Sequence, residues 1–106
     1  MTARSSVPGL GPLEAAIMAV LWDASLPLTP QEVADRADYH PVAYTTVAKV
    51  MVILVGKGLA SRDRRGRAYA YEAAVSREWH LARIVRAALD AAADPGHVIA
   101  LASPAA

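Results

Sequence analysis

The sequence contains no cysteine and only three histidines. The absence of cysteine excludes disulfide bonds, thiolate metal sites and thiol nucleophiles. The three histidines, His40, His80 and His97, are far apart along the chain, whereas the ligands of metal motifs are typically closely spaced. We therefore expect neither a metal site nor a cofactor.

Long hydrophobic runs are also missing. The longest apolar stretch, residues 42–56, is interrupted by Thr45, Thr46 and Lys49, and it is shorter than the roughly 20 residues that a membrane-spanning helix needs. The first eleven residues contain no apolar run before a cleavage site of small residues, so they do not resemble a secretory signal. We expect no membrane association and a cytoplasmic location.

The chain has little net charge, but its charges are unevenly distributed. The formal net charge is +1. Between residues 49 and 67, six basic residues face a single acidic one, Asp63, whereas acidic residues are concentrated in the first third of the chain. This local basic segment, rather than the overall charge, indicates a nucleic-acid partner.

Length and composition predict one folded domain. A chain of 106 residues in which 55% are hydrophobic can bury one modest core. Proline at the first helical position indicates where each of the first two helices begins. Pro12 opens a predicted helix over Pro12–Asp23, and Thr29 and Glu32 form a capping-box pattern at the start of a second helix over residues 30–37.

A third helix and a hairpin complete the first three quarters of the chain. The helix is predicted from residue 42 or 43 to Lys57, where Gly58 permits the left-handed conformation that ends many helices. Its buried face consists of four apolar residues at helical spacing, Val47, Val50, Met51 and Leu54. Residues 59–63 and 67–72 are predicted strands, joined by a tight turn at residues 64–66.

Three short helices followed by a two-stranded hairpin are the element order of a winged helix-turn-helix. The predicted fold is therefore mainly α with a small β-hairpin, with residues 10–75 forming a DNA-binding domain. Ser76 can cap a fourth helix from residue 77 to about residue 93, and we assign residues 76–93 to dimerisation. The apolar tail, residues 97–106, is expected to be poorly ordered unless a partner covers it.

Two groups of residues are candidates for contacting DNA. The start of the third helix offers small or hydrogen-bonding side chains that can approach base edges: Ala43, Tyr44, Thr45, Thr46 and Lys49. The turn around Gly66 carries cations that can follow phosphates or enter a minor groove: Arg64, Arg65 and Arg67. Each group has an ordinary structural explanation as well, because paired threonines often cap a helix and an arginine-rich turn is often only a solvated loop.

Six short motifs together resemble the penicillinase-repressor family, which includes the BlaI, MecI and CopY regulators. They are Leu10-Gly11-Pro12-Leu13-Glu14, Val20-Leu21-Trp22, Ala43-Tyr44-Thr45-Thr46-Val47, Lys57-Gly58-Leu59, Gly66-Arg67-Ala68-Tyr69-Ala70-Tyr71 and Val75-Ser76-Arg77-Glu78. The resemblance implies a homodimeric repressor that binds double-stranded DNA at a dyad-symmetric operator. It also implies that the third helix is the recognition helix, with Thr45, Thr46, Ala48 and Lys49 near bases or phosphates, and that the hairpin is the wing.

The resemblance assigns dimerisation to the fourth helix, through its apolar residues Leu81, Ile84, Val85, Ala88 and Leu89. It further implies a sensor or inducer that relieves repression. Members that respond to β-lactams are cleaved at an Asn-Phe bond, and copper-responsive members use C-terminal cysteines; this chain has no asparagine, phenylalanine or cysteine. The chain also departs from the family at Val52 and Ile53, where charged residues are usual.

Two other classes of function compete with DNA binding. The first is a winged-helix protein-interaction module, which the small net charge and the apolar pair Val52 and Ile53 favour. The second is an enzyme, for which Ser61, Ser76 and His80 are the nearest catalytic candidates. Ser76 is better explained as a helix cap, and no oxyanion or phosphate loop accompanies these residues, so we expect no catalysis.

Overall fold

The computed structural model describes residues 7–104 and confirms the mainly α fold with a β-hairpin. The elements in order are α1 (Pro12–Asp23), α2 (Pro30–Arg36), α3 (Tyr44–Gly56), β1 (Ala60–Arg65), β2 (Ala68–Ala73), α4 (Arg77–Ala91) and α5 (Pro95–Ala102). The prediction about a secretory signal rests largely on residues 1–6, which lie outside the described residues, as do the last two residues of the predicted tail.

Local side-chain chemistry defines the start of α2. The hydroxyl of Thr29 accepts a hydrogen bond from the Glu32 amide at 3.3 Å, and the Glu32 carboxylate accepts one from the Thr29 amide at 2.8 Å. This reciprocal capping box satisfies amides that have no partner inside the helix. The predicted beginning of α2 is therefore confirmed.

A glycine ends α3 and turns the chain into the hairpin. Gly58 has a φ of 78°, a conformation that a residue with a Cβ atom adopts only with strain. The Leu59 amide donates to the Leu54 carbonyl and the Gly58 amide donates to the Val55 carbonyl, both at 3.0 Å. These two bonds are the Schellman pattern that closes a helix C-terminus.

The hairpin turn lies later than the sequence predicted. β1 continues through Arg65, and β2 begins at Ala68, so the loop consists of Gly66 and Arg67 rather than residues 64–66. Gly66 has a φ of 65°, which the first loop position of a type II′ turn requires. Arg64 and Arg65 are consequently strand residues, and their side chains point to opposite faces of the hairpin.

The core lies where the helices meet the hairpin. α3 contributes Val47, Met51 and Leu54 to it, whereas Val50, predicted to be buried, is only half-buried. Leu28 forms a single antiparallel bridge with Tyr71, which adds a third short extended segment beside β2. The buried cluster comprises Ile17, Met18, Leu21, Leu28, Val33, Val47, Met51, Leu54, Leu59, Ala60 and Tyr71.

Helix α4 leaves this core after its first turns. The Nε2 atom of His80 is 2.8 Å from the Pro8 carbonyl oxygen, and Trp22 donates from Nε1 to the Val75 carbonyl at 3.0 Å. The radius of gyration is 16.1 Å, compared with about 13 Å for a compact domain of 100 residues. The molecule is elongated, measuring 51 × 30 × 22 Å, because α4 and α5 extend beyond the winged-helix core.

The expectation of a poorly ordered tail is wrong for residues 97–102, which belong to α5. Asp94 caps this helix by accepting a hydrogen bond from the His97 amide at 3.1 Å, and Pro95 occupies its first turn. α4 ends at Ala91, and Asp94 and Pro95 begin a separate helix. Within residues 7–104, no helix has both the length and the apolar character needed to cross a membrane.

Candidate nucleic-acid interface

The face of α3 opposite the core is exposed. Thr45, Lys49 and Val52 are spaced by four and three residues and therefore lie along one side of the helix. All three are exposed, while Val47 and Met51 on the other side are fully buried. Burial of one face fixes the orientation of α3 and leaves the other face available for a partner.

The N-terminal end of α3 also presents the predicted contact residues to solvent. Ala43, Tyr44, Thr45 and Thr46 are exposed, and Ala48 is half-buried. Among the five described helices, α3 has neither a capping side chain nor an acidic residue in its first turn. The positive end of its dipole is therefore not neutralised by a side chain of the first turn.

Farther along, α3 exposes apolar side chains. Val52 is 48% exposed and Ile53 is 51% exposed. The structure thus agrees with the expectation that this part of the helix presents hydrocarbon to solvent. Gly56 follows one turn after Val52, with no atom within 4 Å of where a Cβ would stand.

The wing carries an aromatic ring between two arginines. The guanidinium carbon of Arg62 lies 4.1 Å from the centroid of the Tyr69 ring, and that of Arg64 lies 5.3 Å from it. Arg62 also donates to the Tyr71 hydroxyl at 3.3 Å, a bond that raises the pKa of Arg62. Cation–π contacts of this kind hold the positive groups in defined positions on one face of the hairpin.

Arg62 and Tyr69 were not among the predicted site residues. Arg64 is the direct cross-strand partner of Tyr69, and Arg62 is the partner of Tyr71. Residues two apart on a strand share a face, so a correct register would have placed both arginines beside these tyrosines. The misplaced turn prevented this inference from sequence.

Arg65 faces α2 instead of the tyrosines. Its guanidinium donates to the Glu32 carboxylate at 2.6 Å and to the Pro27 carbonyl at 3.3 Å. The Thr29 amide and, next, the Arg65 guanidinium lower the pKa of Glu32 by hydrogen bonding to its charged form. Arg65 therefore joins the wing to α2, while Arg64 and Arg67 are exposed on the hairpin.

Lys57, part of the basic segment in the sequence, is also engaged within the protein. Its ammonium lies 2.7 Å from the Glu14 carboxylate at the start of α1. Burial tends to raise the pKa of Glu14, but hydrogen bonds from Lys57 and the Gly11 amide, with the charge of Lys57, outweigh burial and lower it. Lys57 and Arg65 are thus engaged in intramolecular ion pairs, although both side chains remain exposed.

Residues 10–103 match the family model described as penicillinase repressor. The chain belongs to this family. Its members are DNA-binding transcriptional repressors, and the order of helices and hairpin fits their winged helix-turn-helix fold. No curated protein matches the chain.

In this penicillinase-repressor family member, α4 leaves apolar side chains uncovered. Val85, 56% exposed, and Ala88 are exposed, while the other predicted dimerisation residues, Leu81, Ile84 and Leu89, are half-buried. α5 adds Ile99 and Leu101, both exposed, to the apolar surface of this C-terminal pair of helices. The stripe predicted for self-association is thus at least partly accessible.

Ser76 and His80, two of the three residues considered for catalysis, have structural partners in this repressor. The Ser76 hydroxyl accepts a hydrogen bond from the Trp79 amide at 3.0 Å and caps α4. The buried His80 ring bonds to the Pro8 carbonyl and lies beside Trp22. Both side chains therefore serve packing and capping, in keeping with the regulatory rather than enzymatic character of the family.

Proposed function

We propose that the protein is a homodimeric transcriptional repressor that binds a dyad-symmetric operator through α3 and the wing. The observation that carries this proposal is the division of α3 into two faces. Its apolar side is anchored in the core, and its opposite side presents Thr45 and Lys49 to solvent. A helix held in this way can enter the major groove without rearrangement of the domain.

The dimensions and chemistry of α3 suit the major groove. An α-helix with its side chains is about 10–12 Å across, and the groove is about 12 Å wide. Thr45 can bond a base edge or a phosphate, and Lys49 can bond the acceptor atoms of guanine. The exposed amides at the start of α3 favour an adjacent phosphate, while Arg62, Arg64 and Arg67 of the wing approach the flanking backbone.

Self-association through α4 and α5 would supply the second half of the interface. These helices extend away from the winged-helix core and expose Val85, Ile99 and Leu101. Two amphipathic helices that extend from the core are stabilised when a second subunit covers such apolar residues. A twofold dimer then places two copies of α3 against two half-sites about one turn of DNA apart.

The dimer would act in the cytoplasm, on DNA next to the genes it controls, and a sensor or inducer would release it.

Fluorescence anisotropy tests the proposal most directly. The purified protein is titrated with duplex from its own upstream promoter and with a scrambled duplex, across a series of salt concentrations. We expect tighter binding to the promoter, and affinity that falls with salt because phosphate contacts release counterions. Lys49→Ala should weaken binding to the promoter and reduce its preference over the scrambled duplex, whereas Arg86→Ala on α4 should change neither.

The exposed pair Val52 and Ile53 favours a second candidate function, a protein-interaction module with weak or no DNA binding. A hydrophobic interface depends much less on salt than a phosphate interface does. Failure of the wild-type protein to bind either duplex even at low salt would overturn the repressor proposal in favour of this one.

A further inference from the structure

Val52 occupies the same exposed strip of α3 as the two side chains proposed to contact bases. It follows Thr45 by seven residues and Lys49 by three, so the three side chains succeed one another along one side of the helix. Its side chain is 48% exposed, which is a large fraction for an aliphatic residue on a helix that packs against the core. Gly56 leaves open space one turn further along the helix. A DNA duplex seated on Thr45 and Lys49 would therefore cover Val52 as well.

The hydrocarbon of Val52 restricts what it can meet in a major groove. Valine has neither a donor nor an acceptor, so covering a phosphate or a polar base edge with it would leave those groups without hydrogen bonds. The one apolar feature that a base pair presents in the major groove is the 5-methyl group of thymine. We propose that Val52 reads a thymine methyl and makes thymine the preferred base at one position of each half-site.

This inference rests on the proposed function, because it requires that α3 enters the major groove. It goes further by naming a base and the atom that is recognised. Valine is suited to this task because its branched Cβ leaves essentially one χ1 rotamer in a helix, so its methyl groups are held in place.

Ile53 provides a matched comparison on the same helix. It is as exposed as Val52, at 51%, but it aligns with Thr46 and lies about 100° further around the helix. Its side chain is therefore on the flank of the strip formed by Thr45, Lys49 and Val52. If Val52 reads the thymine methyl, shortening Ile53 to alanine should leave the discrimination between bases unchanged.

The experiment uses uracil, which lacks only the methyl group in question. A tight-binding duplex is first selected from a random library with the full-length wild-type protein. Each thymine of that duplex is then replaced singly by deoxyuridine, and affinity is measured by anisotropy at fixed salt. We expect one replacement in each half-site to weaken wild-type binding by about three- to fivefold, the effect of exposing one buried methyl group.

Two variants test whether Val52 is the residue that senses the missing methyl group. Val52→Ala should bind the selected duplex more weakly and should lose most of its response to the sensitive deoxyuridine. Ile53→Ala should retain the full response. Circular dichroism of both variants checks that α3 remains folded, which is expected because both side chains lie outside the core.

Three outcomes would overturn the inference: no deoxyuridine replacement affects the wild type, Val52→Ala responds as strongly as the wild type, or the response is lost in Ile53→Ala instead. Each of these can occur with a protein that binds duplex tightly and in a salt-dependent manner, so they leave the proposed function standing. Failure of selection to yield any bound duplex would overturn both together.

Discussion

The Arg65 guanidinium of the wing lies 2.6 Å from the Glu32 carboxylate of α2, so the wing is joined to the helix that precedes α3. The same carboxylate forms half of the capping box at the start of α2. One acidic side chain thus fixes a helix terminus and the orientation of the hairpin relative to the helices. We interpret Arg65 as a residue that positions the wing. Its neighbour Arg64 instead lies against the Tyr69 ring.

Exchange of Arg65 for alanine should loosen the wing without removing a phosphate contact. We expect Arg65→Ala and Glu32→Gln to speed amide hydrogen exchange in β1 and β2, since glutamine keeps the capping bond but weakens the pairing with Arg65. The salt slope of DNA binding should remain unchanged in Arg65→Ala. Arg64→Ala, the matched control, should reduce the slope by about two, because the dimer carries two wings and each loses one phosphate contact. An equal reduction in both variants would show that Arg65 contacts phosphate directly.

A charge in the exposed stripe of α4 should prevent dimerisation. Val85 is exposed in the single chain, so Val85→Asp should not harm folding of the monomer, but burying an unpaired carboxylate between two subunits is strongly unfavourable. Sedimentation velocity should then show monomers. Arg86→Glu changes the charge of the adjacent residue on another side of the helix and should stay dimeric. A dimeric Val85→Asp protein would place the interface elsewhere.

Two glycines near the end of α3 should respond to alanine in opposite directions. Gly58 has a positive φ, so Gly58→Ala should lower the free energy of unfolding by about 1 kcal/mol through backbone strain. Gly56 is helical with open space at its Cβ position, so Gly56→Ala should raise it by up to about 1 kcal/mol through helix propensity. Urea unfolding followed by circular dichroism measures both. A loss of stability in Gly56→Ala would contradict this explanation.

The ion pair between Glu14 and Lys57 should make stability depend on acid pH. The pKa of Glu14 is lowered in the folded protein, so its contribution is present above the ordinary glutamate value of 4.5 and is lost as pH falls through the folded value. Glu14→Gln should therefore lower Tm near neutral pH, with a cost of roughly 0.2–1 kcal/mol for the pair. The Tm difference from the wild type should shrink as the pH falls below the ordinary glutamate value of 4.5, because Glu14 then loses its charge. A difference that is constant with pH would exclude the charge as its cause.

The sequence alone determined those features that depend on residues close together along the chain. Pro12 and the Thr29–Glu32 capping box define the starts of α1 and α2, and Gly58 marks the end of α3, because each acts on backbone groups within four residues. The buried face of α3 followed from the spacing of Val47, Met51 and Leu54. These local signals, in their order, were sufficient to predict the winged helix-turn-helix, and the family match agrees with that prediction.

Tertiary structure decided which charged residues form ion pairs within the protein. Arg65 and Glu32 are 33 positions apart, and Lys57 and Glu14 are 43 apart, so no local pattern could pair them. The register of β1 with β2 sets the turn at Gly66 and Arg67, later than predicted. The same register places Arg62 against Tyr69. The fourth helix was predicted to end at about residue 93, whereas α4 ends at Ala91 and Asp94 and Pro95 begin α5. Hydrogen bonds and ion pairs between distant segments form only once the core has brought those segments together, which is why the fold was predictable and the composition of its interface was not.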